Sequence, residues 1–289
     1  MGLDAPRVAV VTGASSGIGT AAAKALAAQG WRVIGTGRDA ARMAVAKAEI
    51  EAASSGGQVD MLRVDLSLMA DATRLATDIA ALTDRVDVLI NNAGGMTDRL
   101  EMTSEGFEAN FAGNHLGPFL LTDRLLPLLR AAAIKAPDGA VRIIMTSSFS
   151  SEMAPPINFD DLQNLGNFNP GLAYCNGKLG NVLFAKGLAA RLAGSGIVAH
   201  SVAPGPVASN FFSYAPKETL EHTRDLKKAS PEVGADTLVW LATASEPGHS
   251  SGVYWEKRKT RQHNPLADDS AVVERFWAES VKLLTKAGF

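Results

Sequence analysis

Tyr174 and Lys178 stand four residues apart in Ala173-Tyr174-Cys175-Asn176-Gly177-Lys178. On a helix, residues at that spacing share a face, so the two side chains become neighbours. A phenol titrates at about 10, which makes it a poor proton-transfer partner at neutral pH. A nearby ammonium favours the phenolate and brings that value down. Ser147 and Ser148 close an apolar run over 141–146. A hydroxyl there can hydrogen-bond a carbonyl and stabilise developing negative charge. The plainer reading is a serine pair that satisfies local backbone groups. Asn114 interrupts a helical stretch over 111–125, beside His115 and Gly117-Pro118. An asparagine there can hold a water and kink the helix; Pro118 alone can cause the same irregularity.

A second constellation lies near the N-terminus, in Thr12-Gly13-Ala14-Ser15-Ser16-Gly17-Ile18-Gly19. An apolar run over 8–11 precedes it and a helical segment over 18–29 follows. Gly13 permits a tight turn, Gly17 lets backbone approach a pyrophosphate, and Gly19 allows close helix–sheet packing. Free N–H groups of the loop and helix start, Ser15, Ser16 and Ile18 included, then face phosphate. An ordinary glycine-rich turn is the alternative. The second apolar run leads to Gly37-Arg38-Asp39. A dinucleotide bearing a 2′-phosphate (NADP) wants space and a cation at that point, and NAD wants an acid. Gly37 offers room and Arg38 a guanidinium. Asp39 is either the ribose acid or the N-cap of the helix that starts at Ala40. We favour the cap, and hence NADP over NAD. Asp65-Leu66 follows the third run, where the acid can accept from an adenine amino group or cap a helix. Asn91-Asn92-Ala93-Gly94 ends the fourth run. Ala93 and Gly94 leave a bare surface for an adenosine and Asn91 can tie strands; the same tetrapeptide also suits a plain turn.

These residues need a scaffold, and the pattern supplies one. Short apolar runs alternate with longer Ala/Leu/charge segments from residue 8 to residue 203. Such alternation predicts βαβ crossovers and a parallel sheet with helices on both faces. We expect one α/β domain over 1–289, a doubly wound Rossmann-type parallel sheet of about seven strands. The Pro/Asn/Asp-rich stretch over 150–170 reads as an ordered excursion. Residues 205–230 read as a substrate-binding flap with helical character. A helix with Pro at its start follows over 231–244, and an amphipathic helix closes the chain over 270–286.

Composition narrows the classes further. The chain has 289 residues, 46% hydrophobic and 20% charged, enough for a large core. Net charge is −2, with no footprint for nucleic acid and no basic helix for a membrane surface. No segment reads as a membrane span. One cysteine, Cys175, forms no intrachain disulfide, which fits a reducing, cytoplasmic setting. The five histidines lack ligand spacing, so no metal is expected.

Together the motifs resemble the short-chain dehydrogenase/reductase family over residues 7 to about 210. The matched signs are Thr-Gly-x-x-x-Gly-x-Gly at 12–19, Asn-Asn-Ala-Gly at 91–94, Asn114, Ser148, Tyr174 with Lys178, and Pro204-Gly205. The resemblance implies a catalytic set. Tyr174 is the acid/base. Lys178, with a nicotinamide cation beside it, lowers its pKa and grips the nicotinamide ribose. Ser148 polarises a carbonyl, and Asn114 supports a water-linked proton relay. It also implies that Pro204, Gly205 and Val207 flank the nicotinamide and that Ser209 contacts its amide. Gly177 and Ser209 replace the family's usual Ser and Thr. Asn114-His115-Leu116-Gly117, the long 148–174 insert and the tail at 252–255 resemble the retinol dehydrogenase-like branch. The implied activity is NADP(H)-dependent interconversion of an alcohol and a carbonyl on a moderately apolar small molecule. Competing readings are a nucleotide sensor or scaffold on the same fold, and a C=C reductase. Phe149, Met153, Phe168, Phe211, Phe212 and Met96 are candidates for an apolar pocket, with core packing the alternative. A homodimer or homotetramer is the family's common state.

Overall fold

A computed structural model describes residues 6–209 and 215–289. Its first half alternates as expected: β1 (Val8–Val11), α1 (Gly17–Ala27), β2 (Arg32–Gly37), α2 (Ala40–Ala53), β3 (Val59–Arg63), α3 (Met69–Leu82) and β4 (Val88–Asn91). A short α4 (Ala109–Phe111) runs through a π-turn (Ala112–Leu116) into α5 (Gly117–Ile134). Then come β5 (Val141–Thr146), α6 (Pro170–Arg191), β6 (Ile197–Val202), α7 (Lys217–His222) and α8 (Pro231–Thr243). The chain ends with a hairpin, β7 (Val253–Glu256) and β8 (Lys259–Thr260), and α9 (Ser270–Lys286).

Local sequence explains the helix starts. Asp39, Asn169, Ser230 and Asp269 each accept an N–H of the first turn they precede. Pro170 and Pro231 take first positions, where no donor is needed. α3 has no such cap of its own. Glu105 reaches its start instead and accepts from the N–H groups of Met69 (2.5 Å) and Ala70 (2.9 Å).

The sheet has the order β3-β2-β1-β4-β5-β6-β7-β8. β1 to β7 are parallel, and β8 pairs antiparallel to β7. The eighth strand exceeds the expected seven because two residues fold back as a hairpin. Alternate strand residues serve opposite faces. Val11, Val33 and Ile90 pack on Leu26 of α1, Ile50 of α2 and Leu238 of α8. Val10, Ile34, Leu89 and Met145 pack on Leu75 of α3, Leu121 of α5, Leu183 of α6 and Phe276 of α9. Strands buried on both sides must be apolar throughout, which is why Val8–Val11 reads Val-Ala-Val-Val. The order reverses between β1 and β4, so the ligand crevice of such a sheet lies beyond their carboxyl ends. Pairing of Val11 with Ile90 and of Asn91 with Met145 brings Thr12, Asn92 and Ser147 out along one edge.

Candidate active site

The glycine turn sits at this edge. Gly13 (φ +69°) and Gly17 (φ +55°) occupy the left-handed region that glycine tolerates. A Cβ on Gly13 would lie 3.0 Å from Ala93 Cα, and one on Gly17 would lie 3.0 Å from Ser209 Cβ. A Cβ on Gly19 would come within 2.1 Å of the Gly13 carbonyl oxygen. Residues 12–19, 92–93 and 209 therefore form one close-packed floor. Asn92 stitches it: its Nδ2 donates to Thr12 O at 3.0 Å. Thr12 Oγ1 accepts from the N–H groups of Asn92 and Ala93, both at 2.9 Å. α1 begins at Ser16–Gly17 with no side-chain cap and no acid in its first turn. A helix start of that kind, beneath a turn whose three glycines present bare backbone, fits a pyrophosphate.

Beyond β2, Asp39 is the N-cap, accepting from Arg42 N–H at 2.8 Å. That bond holds its carboxyl below the usual range. Gly37 is a correction. It offers no open room, because a Cβ there would meet Ser15 at 2.7 Å. Its missing side chain lets Ser15 close down on β2. Arg38 is exposed and lies 3.9 Å from Asp65 Oδ2. Arg63 Nε donates to the Arg38 carbonyl at 3.0 Å, which brings a second guanidinium alongside. Asp65 Oδ1 accepts from both N–H (3.0 Å) and Oγ (2.8 Å) of Ser67, so much of this acid serves its own turn. Leu66 is buried, and its carbonyl lies so near Gly117 that a Cβ there would sit at 1.9 Å.

The chemical end gathers at the carboxyl ends of β4 and β5. Tyr174 and Lys178 share one face of α6, with Nζ 5.7 Å from the phenol ring centroid. The Tyr174 hydroxyl hydrogen-bonds with Ser148 and Ser150. Lys178 is buried and donates to Thr146 O at 3.1 Å. A Cβ on Gly94 would meet Asn114 Oδ1 at 2.5 Å and Lys178 Nζ at 3.0 Å. The bare face of Gly94 thus brings the amide and the ammonium together. Asn114 lies in the π-turn, the irregularity anticipated there. Its Nδ2 donates to Asn110 O (2.8 Å) and Gly95 O (2.9 Å), and its Oδ1 accepts from Gly95 N–H (3.2 Å). It ties the loop after β4 to the helix.

Lys178 does not by itself bring the phenol down; the expected lowering also draws on a nicotinamide cation. Burial pushes the Tyr174 phenol well up, against the pull of its bonds with Ser148 and Ser150. Burial also lowers Lys178 to about 8. Both shifts favour the uncharged forms, and for Tyr174 the uncharged form is the proton donor. Losing that proton calls for positive charge beyond what these side chains supply.

The remaining candidates divide. Pro204 and Gly205 follow β6, with Gly205 at φ +80°. Val207 turns its side chain inward; a Cβ on Gly234 of α8 would meet it at 2.5 Å and Ile18 at 3.2 Å. The apolar-pocket set does not stay together. Met96 is buried and Met153 is 78% exposed. Phe149 packs on the core under the Arg261 guanidinium, 4.3 Å from its ring. Phe168 is half-buried, and Phe211 and Phe212 lie outside the described residues. His115 is caged by Phe111, Phe119, Phe184 and Phe276 and bonds Ser280 Oγ at 2.8 Å. His200 bonds Pro247 O (2.9 Å) and Trp255 Nε1 (3.1 Å). Both are packing residues.

A family model described as short chain dehydrogenase matches residues 7–219. The chain belongs to the short-chain dehydrogenase family. Retinol dehydrogenase 13 of Homo sapiens is 36% identical over 286 residues, covering 96% of this chain and 84% of that protein. Retinol dehydrogenase 12 of Bos taurus is 36% identical over 280 residues, covering 96% and 86%. The retinol dehydrogenase-like branch read from the 114–117 and 252–255 motifs is where these relatives fall. Among solved structures, an uncharacterized protein from Mycobacterium paratuberculosis superposes with a TM-score of 0.76 at 29% identity, covering 98% of this chain and 96% of that one. The Pseudomonas aeruginosa RhlG/NADP active-site complex superposes at 0.68 with 28% identity, covering 87% and 94%. Among the described residues, no helix of this short-chain dehydrogenase is long and apolar enough to cross a membrane.

One participant in the dehydrogenase site and one support of the helix that leads to Asn114 escaped the sequence. Ser150 joins Ser148 at the phenol. Gln163 in the insert accepts from Glu108 N–H at 2.8 Å, and Glu108 caps α4 through the N–H groups of Asn110 (2.8 Å) and Phe111 (2.7 Å). The run Ser147-Ser148-Phe149-Ser150-Ser151 was the available signal for the first; nothing local marks the second.

Proposed function

We propose that this short-chain dehydrogenase is an NADP(H)-dependent oxidoreductase. It interconverts an alcohol and a carbonyl on a moderately apolar small molecule, with Tyr174 as acid/base. The observation that carries this reading is the meeting of Ser148, Ser150 and Tyr174 hydroxyls beside Lys178 and Asn114. They meet at the crevice end of the sheet, next to a glycine cradle. Retinol dehydrogenase relatives and the NADP complex of a structural neighbour support the same reading.

The nicotinamide dinucleotide supplies or accepts the hydride at the substrate carbon. The chain's own residues do the rest. The loop 12–19 with Asn92, Ala93 and Gly94 holds the pyrophosphate and adenosine. Arg38, with Arg63 behind it, takes the 2′-phosphate. Asp65 and Leu66 border the adenine; Pro204, Gly205, Val207 and Ser209 border the nicotinamide. In the reducing direction Ser148 Oγ–H donates to the carbonyl oxygen and steadies its developing charge. Tyr174 O–H gives its proton to that oxygen as the C–O bond becomes an alcohol. Lys178 holds the ribose and its charge stabilises the phenolate left behind. Asn114 keeps the loop at Gly94 and Gly95 in place for proton return. Residues 205–230, of which 210–214 lie outside the described residues, are assigned to the substrate cover. A cytoplasmic setting, which the single cysteine fits, and a homo-oligomer belong to the same reading.

The test is oxidation of NADPH and of NADH with a panel of aldehydes, ketones and enones, with products identified by mass. We expect alcohol products and a preference for NADPH. Saturated carbonyl products assign a C=C reductase. Tight nucleotide binding with no turnover across the panel assigns a sensor.

A further inference from the structure

We propose that Tyr254, on the last full strand of the sheet, is a positioning residue for Ser148. The inference rests on the reading of Ser148 as the group that polarises the carbonyl. β5 ends at Thr146, and the chain then turns through 147–154. That turn carries both hydroxyls that meet Tyr174. What fixes it comes from far along the chain. Buried Tyr254 donates its hydroxyl to Ser148 O at 3.0 Å and shares that proton with Glu152 Oε1 at 3.3 Å. Ser151 Oγ donates to the same carbonyl at 2.7 Å. Arg261 grips both carboxylate oxygens of Glu152, at 2.6 and 2.9 Å, and its backbone N–H donates to Tyr254 O at 2.8 Å.

The hairpin that carries this clamp is built at a cost. Its turn residues Lys257 (φ 48°) and Arg258 (φ 59°) both sit in the left-handed region, where tight hairpins normally place Gly or Asn. The turn brings Arg261 back beside Tyr254. Asn264 then donates to Ser151 O (3.3 Å) and Ala154 O (3.0 Å), closing the buckle. A carbonyl held from outside fixes the Ser148 backbone, and with it the Cα–Cβ bond from which Oγ projects toward Tyr174. Removing the Tyr254 hydroxyl leaves the Ser151 Oγ and the Ser151 N–H (3.0 Å) on that carbonyl and cuts its tie to β7, so the turn loses its anchor to the sheet edge.

The test uses the full chain, NADPH and a carbonyl it reduces. Tyr254→Phe lowers kcat about tenfold, the scale of a small misplacement of a reacting group. The dissociation constant of NADPH stays within about twofold of the wild-type value, because the cradle is untouched. In a Ser148→Ala background the same change costs less than about twofold, since Tyr254 acts through Ser148. Glu152→Gln, which weakens the clamp without opening the core, shows the same pattern more mildly and serves if Tyr254→Phe does not fold. An undiminished loss in the Ser148→Ala background overturns the inference, as does unchanged kcat in folded Tyr254→Phe. If Ser148→Ala itself keeps full kcat, the assignment of Ser148 fails and this inference falls with it; if only the Tyr254 effect is missing, the proposed activity stands.

Discussion

Lys178→Met should make the nucleotide-free protein more stable while removing most of its activity. Lys178 is 3% exposed, and burial lowers its pKa from 10.5 to about 8. That drop corresponds to about 3 kcal/mol for holding the charged form inside at neutral pH. Methionine matches the stem and carries no charge. It forfeits the bond from Nζ to Thr146 O, worth about 1 kcal/mol. Thr146 O keeps a partner in Asn181 Nδ2 at 3.1 Å, so no carbonyl is orphaned. The balance is about 2 kcal/mol in favour of Met, or about 4 °C in Tm for a chain of this size. The sign of the pH dependence is fixed. Between about 8 and 10.5 the unfolded lysine keeps a proton that the folded one has lost, so wild-type stability rises with pH there. The advantage of Met should therefore shrink over that window. Calorimetry on both proteins from neutral to alkaline pH reads the effect, and turnover measured in parallel should fall about 100-fold. A Lys178→Met protein that melts below wild type, or that keeps wild-type kcat, refutes the reasoning.

Arg38→Ala should raise the KM for NADPH by about tenfold or more and leave that for NADH nearly unchanged, because only the former offers a 2′-phosphate; parallel loss with both cofactors removes Arg38 from that role. His115 is held neutral, its pKa lowered by burial from 6.5 to about 3. Below about 6.5 the unfolded histidine takes a proton the folded one refuses, so stability is lost as pH falls. Going from about pH 7.5 to about 5 should cost about 2 kcal/mol through this group, read by denaturant unfolding, and His115→Phe should lose about that much less.

What the sequence disclosed, and what it hid, follows the range of the interactions. The glycine turn and the Tyr174–Lys178 pair depend on spacing within a few residues, and β1 through β6 carry the apolar runs that two-sided burial demands. Asp39 was legible as a cap because the donor it serves is three residues away. An irregularity at Asn114 was legible, but its form was not: the helix begins at Ala109 and passes through a π-turn over Ala112–Leu116. Asn114 takes the Asn110 carbonyl with its side chain there, a choice that depends on Gly95 across the crevice. The hairpin after β7 was illegible because its turn uses Lys257 and Arg258 at positive φ, against local preference. The upward push on the Tyr174 phenol was hidden for a related reason: proximity to Lys178 is local, but burial is a property of the whole fold.

The central claim is that Tyr174 moves the proton in a hydride-transfer reaction. Tyr174→Phe removes one oxygen from a ring that stays packed in place. With a carbonyl that the wild type reduces, the account predicts turnover down by at least about 1000-fold, with NADPH affinity, read by quenching of protein fluorescence, within about twofold. A Phe variant that reduces the carbonyl at a rate near wild type would contradict it.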